Sequence, residues 1–252
     1  METLKQTGYL FVRGLKQSLR PTAALLPSLL MPAFFLLVFT QGFAAVGASL
    51  TGGSYLVFYA PVAILQAIFF SSGDAGIDMV VDITSGYFDK LLIAPINHAS
   101  IIVGKLFGVA VRAAVQAGIV IIILLLIGIH FATGFAGILL ILLLGALFGM
   151  AWSGIGLTIA LLTKNQRTTQ SSFLLFFPFT FITTAQLPLS YLHGWYKVAV
   201  EINPVTNVLE AVRTLATVGW QWDIISRGFW TALVVGIITI TAALLSFRRV
   251  VR

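Results

Sequence analysis

The chain has 252 residues, of which 59% are hydrophobic and 9% charged, with a mean hydropathy of +1.02; a soluble domain carries about 25% charged residues, so a soluble fold is excluded. Six apolar runs of about 20 residues use half of this length and leave no room for a separate soluble catalytic domain. The absence of cysteine excludes disulfide staples, thiolate metal sites and a cysteine nucleophile, and the net charge of +7 flanks apolar runs, which fits a membrane surface and not a nucleic-acid binder.

In the first twenty residues, Leu4, Gly8, Phe11, Val12, Leu15 and Leu19 share one helical face. Lys5, Arg13, Lys16, Gln17 and Arg20 fall largely on the other, the pattern of an amphipathic interfacial helix over 1–20. It serves as an anchor or as part of a docking surface. The apolar run behind it is too long for a cleavable signal. The first span is expected at about 21–43, opened by Pro21 and kinked at Pro27 and Pro32. The others follow at about 54–72, 106–129, 135–162, 171–191 and 229–247.

Basic residues set the orientation. With both termini cytoplasmic, the inner side holds Lys5, Arg13, Lys16, Arg20, Lys90, Lys105, Arg112, Lys164, Arg167, Arg248, Arg249 and Arg252. Only Lys197, Arg213 and Arg227 fall outside. The positive-inside rule therefore puts the N- and C-termini in the cytoplasm of a multi-pass protein of the cell's inner (plasma) membrane.

Two polar stretches interrupt the apolar runs. In the segment 74–105, Asp74, Asp78 and Asp82 recur at i, i+4 and i+8, so a helix continuing past the second span carries three carboxylates on one face. Solvent or a basic partner would relieve their repulsion. One helix face does not make the six- to eight-oxygen cage of a divalent cation, so no metal is expected. A break at Ser85 and Gly86 precedes a short amphipathic turn through Tyr87, Phe88, Asp89, Lys90, Leu91 and Leu92, which stops at Ala94 and Pro95. Phe88, Leu91 and Leu92 suit a cleft in a partner, or else rest on the membrane or on other loops. In the external segment 192–228, Val205, Val208, Leu209, Val212 and Leu215 lie near one face, and Glu210 and Arg213 pair at i, i+3 on another. Trp195, Trp220 and Trp222 belong at headgroup level, so helices here lie in, or dip into, the outer interface.

Few groups within the spans can do chemistry. Arg112, two turns beyond Lys105, is expected to snorkel to the inner surface or to line a pathway; Gln116, one turn deeper, to bond a neighbouring helix. Gly145, Gly149 and Ser153 form a close-packing stripe that Gly154 and Gly156 extend. Phe176 and Phe177, in a run of phenylalanines, are open to a role in the pathway or in packing.

The run Gly86-x-x-Asp89-x-Leu91-Leu92-x-Ala94-Pro95, followed by Gly104 and Lys105, resembles the cytoplasmic loop of type-2 ABC exporter permeases, and the chain is similar to the daunorubicin-resistance and polysaccharide-export groups. Leu187 and Pro188, then Asn203, Pro204, Glu210 and Arg213, resemble the last external segment of that family. The all-aspartate face before Gly86 departs from the family pattern, which mixes acidic and basic residues there. The resemblance implies an all-α integral membrane protein, a single permease domain over 1–252. It would have six transmembrane helices, an N-terminal interfacial helix, a cytoplasmic coupling helix, and external or re-entrant helices before the last span. It makes Gly86, Phe88, Asp89, Leu91, Leu92, Pro95, Gly104 and Lys105 the ATPase-coupling loop, and Asn203, Pro204, Glu210 and Arg213 the external gate or a passive lid.

The function expected is export of an amphiphilic or lipid-linked substrate (drug, lipid or glycan), driven by an ABC ATP-binding subunit. The pathway forms with a second permease copy or paralogue, in contact with membrane lipid and with no nucleic acid. The chain binds no cofactor itself; ATP and Mg belong to the partner. Gly104 and Lys105 lack the upstream glycine and the following Ser or Thr of a Walker loop, so there is no ATPase site and no catalytic residue. An intramembrane enzyme would need convergent polar groups at depth, whereas His98, His130 and His193 fall in loops on different sides. An ion-coupled secondary transporter, the alternative reading, needs a midplane carboxylate, and no acidic residue falls inside a predicted span.

Overall fold

The computed structural model describes residues 22–94 and 99–251. The helix expected over 1–20 and the stop expected at Pro95 lie outside the described residues. Helix α1 covers Thr22–Gly42, the short α2 covers Gly47–Thr51, and α3 (Tyr55–Ser72) continues through Gly73 into α4 (Asp74–Thr84). Gly86, at φ 70°, turns the chain into α5 (Tyr87–Ile93); a left-handed conformation there suits a residue with no Cβ. Then come α6 (Ala99–Leu126), α7 (Gly134–Thr163) and α8 (Gln166–Ser171), which passes through a 3₁₀ turn into α9 (Phe176–Phe181). Helices α10 (Gly194–Ile202) and α11 (Pro204–Arg213), with a π-helical turn over Thr214–Val218, precede α12 (Trp222–Val251). No strand occurs among the described residues.

Four helices among the described residues are long and apolar enough to cross a membrane: α3–α4 as one 30-residue rod, α6, α7 and α12. The second crossing therefore extends beyond the expected 54–72, and its apolar rod includes the three aspartates. The expected first span is α1, of which Leu29–Gly42 is a shorter apolar stretch. The expected fifth span, 171–191, is not one helix. It breaks at Leu175, ends at Phe181 and continues as irregular chain with a 3₁₀ turn at Leu189–Tyr191. Apolarity alone suggested a continuous crossing there, but Pro178 and Pro188 remove donors from the backbone ladder.

The bundle closes on α3, whose Tyr59, Ile64, Leu65, Ile68 and Phe69 are fully buried. Helix α7 reaches it through the small-residue stripe. A Cβ at Gly145 would meet Ile68 at 2.8 Å, and one at Gly149 would meet Ala113 of α6 at 2.7 Å. Lower down, a Cβ at Gly76 of α4 would come within 2.6 Å of the Gly156 carbonyl, so the two backbones touch. The packing face expected from Gly145, Gly149, Ser153, Gly154 and Gly156 is thus present, with Gly154 turned instead to Thr239 of α12. Such close approach is what drives helix association where lipid is as apolar as leucine. A second apolar core lies at the end of the bundle expected from the basic residues to be cytoplasmic (the inner end, opposite the outer), built from Met79, Ile102, Leu106, Leu157, Leu161 and Phe247, with Phe88 and Leu91 of α5.

Candidate functional site

Charged and polar side chains gather at the two ends of the bundle, and each end uses them differently. At the inner end, α4 and α6 run antiparallel and face each other through charge. The Lys105 ammonium contacts the Asp82 carboxylate at 2.7 Å, and both side chains are largely buried. Two turns deeper the Arg112 guanidinium donates to Asp74. Asp78, four residues from each of these aspartates, lies between the two rungs on the same face of α4. The spacing explains the match: carboxylates eight residues apart on α4 meet cations seven apart on α6, about two helical turns in each case. Arg112 is 6% exposed at its side chain, so it does not snorkel to the surface; a paired carboxylate on the neighbouring helix is the cheaper partner for a buried guanidinium. The three aspartates are likewise neither uniformly solvated nor left for a partner protein, because Asp74 and Asp82 are held within the chain. Gln116, one turn beyond Arg112, is fully buried.

Helix α5 is built onto this ladder. Phe88 is buried and packs edge-on against Phe247 of α12 at 5.7 Å, and Leu91 joins the same core. These two side chains therefore fill the chain's own interior and are not presented to a cleft elsewhere. Asp89 and Lys90 are exposed, Leu92 is half-buried, and Ile93 is the apolar residue left outside, at 86% exposure. Gly86 shapes the turn into α5, while Gly104 and Lys105 lie inside α6, which starts earlier than expected.

At the outer end, α10 and α11 form a hairpin that re-enters the bundle. Its tip is Asn203, whose Oδ1 accepts from the Val205 N–H at 3.0 Å and caps α11, with Pro204 at the first helical position. The Nδ2 of Asn203 donates to the carbonyls of Phe179 at 2.8 Å and Ile182 at 2.5 Å. The Tyr196 hydroxyl donates to the Phe181 carbonyl at 2.6 Å. Those three carbonyls end α9, and without partners each would be an orphan acceptor. The Phe179 ring meets Trp152 at 5.3 Å. Asn207 is level with Leu144 of the 30-residue α7, both lying against Gly228, so Asn203, one turn further in, is near the middle of the bundle. Irregular backbone at such depth persists only where protein groups satisfy it. The next irregular stretch is served in the same way, by the Tyr55 hydroxyl donating to the Gln186 carbonyl at 2.8 Å.

Arg213, at the outer end of α11, is 8% exposed. It pairs with Glu210 at 2.5 Å and donates to the Thr184 hydroxyl at 3.1 Å and the Thr184 carbonyl at 2.8 Å. Its guanidinium also stacks 4.1 Å from the centre of the Phe58 ring, and Thr184 donates to Glu210. The i, i+3 pairing of Glu210 with Arg213 is as expected from the sequence. A cavity of about 680 Å³ opens beside it, lined by Phe58, Thr184, Thr206, Asn207, Glu210 and Arg213 among others. Trp195, Trp220 and Trp222 are exposed around this end, with Trp220 stacked on Trp222 at 5.4 Å. Phe176 is buried against Phe69 and Phe70 of α3, whereas Phe177 is half-buried and stacks on Phe181 of its own helix.

The sequence from residue 5 to residue 216 matches the family model of the ABC-2 type transporter. The chain belongs to the ABC-2 type transporter family. It is therefore a multi-pass membrane protein of permease type. A daunorubicin resistance ABC transporter permease protein of Streptomyces coeruleorubidus is 28% identical over 203 residues, which cover 79% of this chain and 71% of that one. A relative in Mycobacterium tuberculosis, named for doxorubicin resistance as an ABC transporter permease protein, is 23% identical over 218 residues, 86% of this chain and 78% of its own. ABC-2 permeases are membrane subunits of ABC exporters, and the chain is such a subunit by family.

The sequence reading of this permease missed Thr184, Tyr196, Tyr55 and Phe58. The adjacent hydroxyls of Thr183 and Thr184 in an otherwise apolar run were a usable signal, because buried hydroxyls need partners. Phe58 carried no signal apart from its neighbours.

Proposed function

We propose that the chain is the transmembrane subunit of an ATP-driven exporter of amphiphiles, six crossings per chain, with ATP and Mg bound by a separate subunit. The crossings are α1, α3–α4, α6, α7, α8–α9 and α12, with both termini in the cytoplasm of the inner (plasma) membrane. A second copy or a paralogue completes the pathway. The observation that carries this reading is α5. It is a short helix fixed by Phe88 and Leu91 to the inner core, with Asp89, Lys90 and Ile93 turned outward.

A push on α5 from an ATP-binding subunit is transmitted through two routes. Phe88 bears on Phe247 of α12, and α4 is tied to α6 by the two charge rungs. The crossings then move as semi-rigid bodies and change which side the pathway faces. Glu210, Arg213 and Asn203 hold the outer hairpin, which acts as the exit gate. Substrates of the drug type are favoured by the names of the two relatives and by the scarcity of polar groups inside the crossings.

The test uses the outward residues and spares the buried ones. In membranes containing the chain and its ATP-binding partner, Ile93→Asp is expected to reduce ATP-dependent daunorubicin export at least about tenfold while leaving insertion and thermal stability unchanged. A change of one charged for one apolar contact in a desolvated docking site has that size. Undiminished export by Ile93→Asp, or export by the purified chain without an ATPase, sinks the proposal.

A further inference from the structure

Helices α7 and α12 cross the membrane side by side and in the same direction. The Thr239 hydroxyl donates to the Ala151 carbonyl at 2.6 Å, its Cβ lies over Gly154, and Gly236 faces Ala151. Residues about 85 apart in the two helices therefore share a level. Along one side of this contact, Leu147, Met150, Leu233, Gly236, Ile237 and Ile240 border a cavity of about 340 Å³. Leu233 and Ile237 are exposed, so the groove opens away from the bundle.

The same register brings Lys164 level with Arg249 at the inner end. Lys164 ends α7 in a left-handed conformation, its N–H donating to the Ala160 carbonyl at 2.8 Å, and its side chain is exposed. Arg248 and Arg249 are exposed in the last turn of α12. Arg248, eleven residues beyond Ile237, shares the groove's face of α12, and Lys164, fourteen beyond Met150, its face of α7, whereas Arg249 is about 120° round from Ile237. Among the described residues, α7 has no carboxylate and α12 has only Asp223, at its far end. Helix α5 adds Asp89 and Lys90 beside Phe247, and those two cancel.

Length agrees with charge. From Leu233 to Arg248 is about 23 Å at 1.5 Å per residue, close to the roughly 20–22 Å half-thickness of a bilayer with its headgroups. We propose that this groove binds one anionic phospholipid of the inner leaflet, with an acyl chain against Gly236 and the phosphate on Lys164 and Arg248, Arg249 adding positive charge at the same level. Guanidinium forks match phosphate oxygens, and an alkyl chain restores the dispersion contacts that the gap between the helices lacks. The inference rests on the orientation proposed above. It does not depend on export, because its readout is lipid binding.

The full-length chain is reconstituted in phosphatidylcholine vesicles carrying either spin-labelled phosphatidylglycerol or spin-labelled phosphatidylcholine, and the motionally restricted fraction is measured. Native protein should prefer phosphatidylglycerol at least about threefold, as three clustered cations near a membrane surface imply. The double substitution Arg248→Gln with Arg249→Gln should bring that ratio near one. Gly236→Leu should leave the boundary shell that both labels share but abolish the preference for phosphatidylglycerol. Gly236→Ala should retain it, since a Cβ there meets Ala151 at an acceptable 3.4 Å and reports that the helices still pack. An unchanged ratio in the arginine variant overturns the site. So does a preference for phosphatidylglycerol that survives Gly236→Leu, which would mean attraction by the surface alone. A dimer that Gly236→Leu dissociates would also overturn it, assigning the groove to a second chain.

Discussion

The inner and outer ends of this permease handle buried charge in opposite ways. Inside, charged side chains satisfy one another across two unbroken helices: Asp82 with Lys105, Asp74 with Arg112. Outside, polar side chains satisfy backbone that has left the helix: Asn203 and Tyr196 at the end of α9, Tyr55 at Gln186, Arg213 at Thr184. A side-chain pair can be exchanged or reversed with its partner, whereas an orphan carbonyl accepts only a donor at one place. The inner end is therefore expected to tolerate paired changes, and the outer end to resist them.

The largest expected effect is at the hairpin tip. Asn203→Leu removes a helix cap, about 1 kcal/mol, and leaves two buried carbonyls unsatisfied, so a loss on the order of 4 kcal/mol is expected in thermal or denaturant unfolding of the purified protein. Asn203→Asp keeps the capping acceptor but loses both donated bonds, and should fall between Leu and native. If Asp is as damaging as Leu, the cap and not the carbonyls holds the tip. Next in size is Glu210→Gln. It leaves Arg213 buried with a neutral partner and Thr184, for a cost of roughly 2–3 kcal/mol that Arg213→Met in the same background should partly recover. The smallest net effect belongs to the ladder. Asp82→Lys and Lys105→Asp should each destabilise by about 1–3 kcal/mol, whereas the double exchange restores most of the loss, which a double-mutant cycle measures. Failure of the exchange to recover stability would erase the contrast between the two ends.

Much of this was legible in the residues. The period of Asp74, Asp78 and Asp82, the break at Gly86 and the glycine stripe of α7 all reported real local structure, because each depends only on helical geometry and backbone size. The partners were harder. Lys105 and Arg112 carried the complementary spacing, but only the antiparallel register of α4 and α6 identifies them as the counter-charges. Phe88 and Leu91 mark an apolar face without saying whose interior it fills, since the same face suits a partner or the chain's own core. The break in the fifth crossing was hidden for a different reason. Hydropathy measures affinity for lipid and is blind to whether the backbone is paired, and the pairing at Phe179, Phe181 and Ile182 comes from residues up to 24 positions later.

That delay has a consequence for synthesis. As the polypeptide leaves the ribosome, the segment ending at Phe181 meets hydrocarbon before Tyr196 and Asn203 exist to serve it. It cannot settle as an independent stretch and must wait, beside α7 or within the insertion machinery, for the returning hairpin. Chains stopped after Leu192 should accordingly be degraded or leave this segment uninserted, while chains stopped after Gly219 should protect it from protease, an order of assembly imposed by one tyrosine and one asparagine.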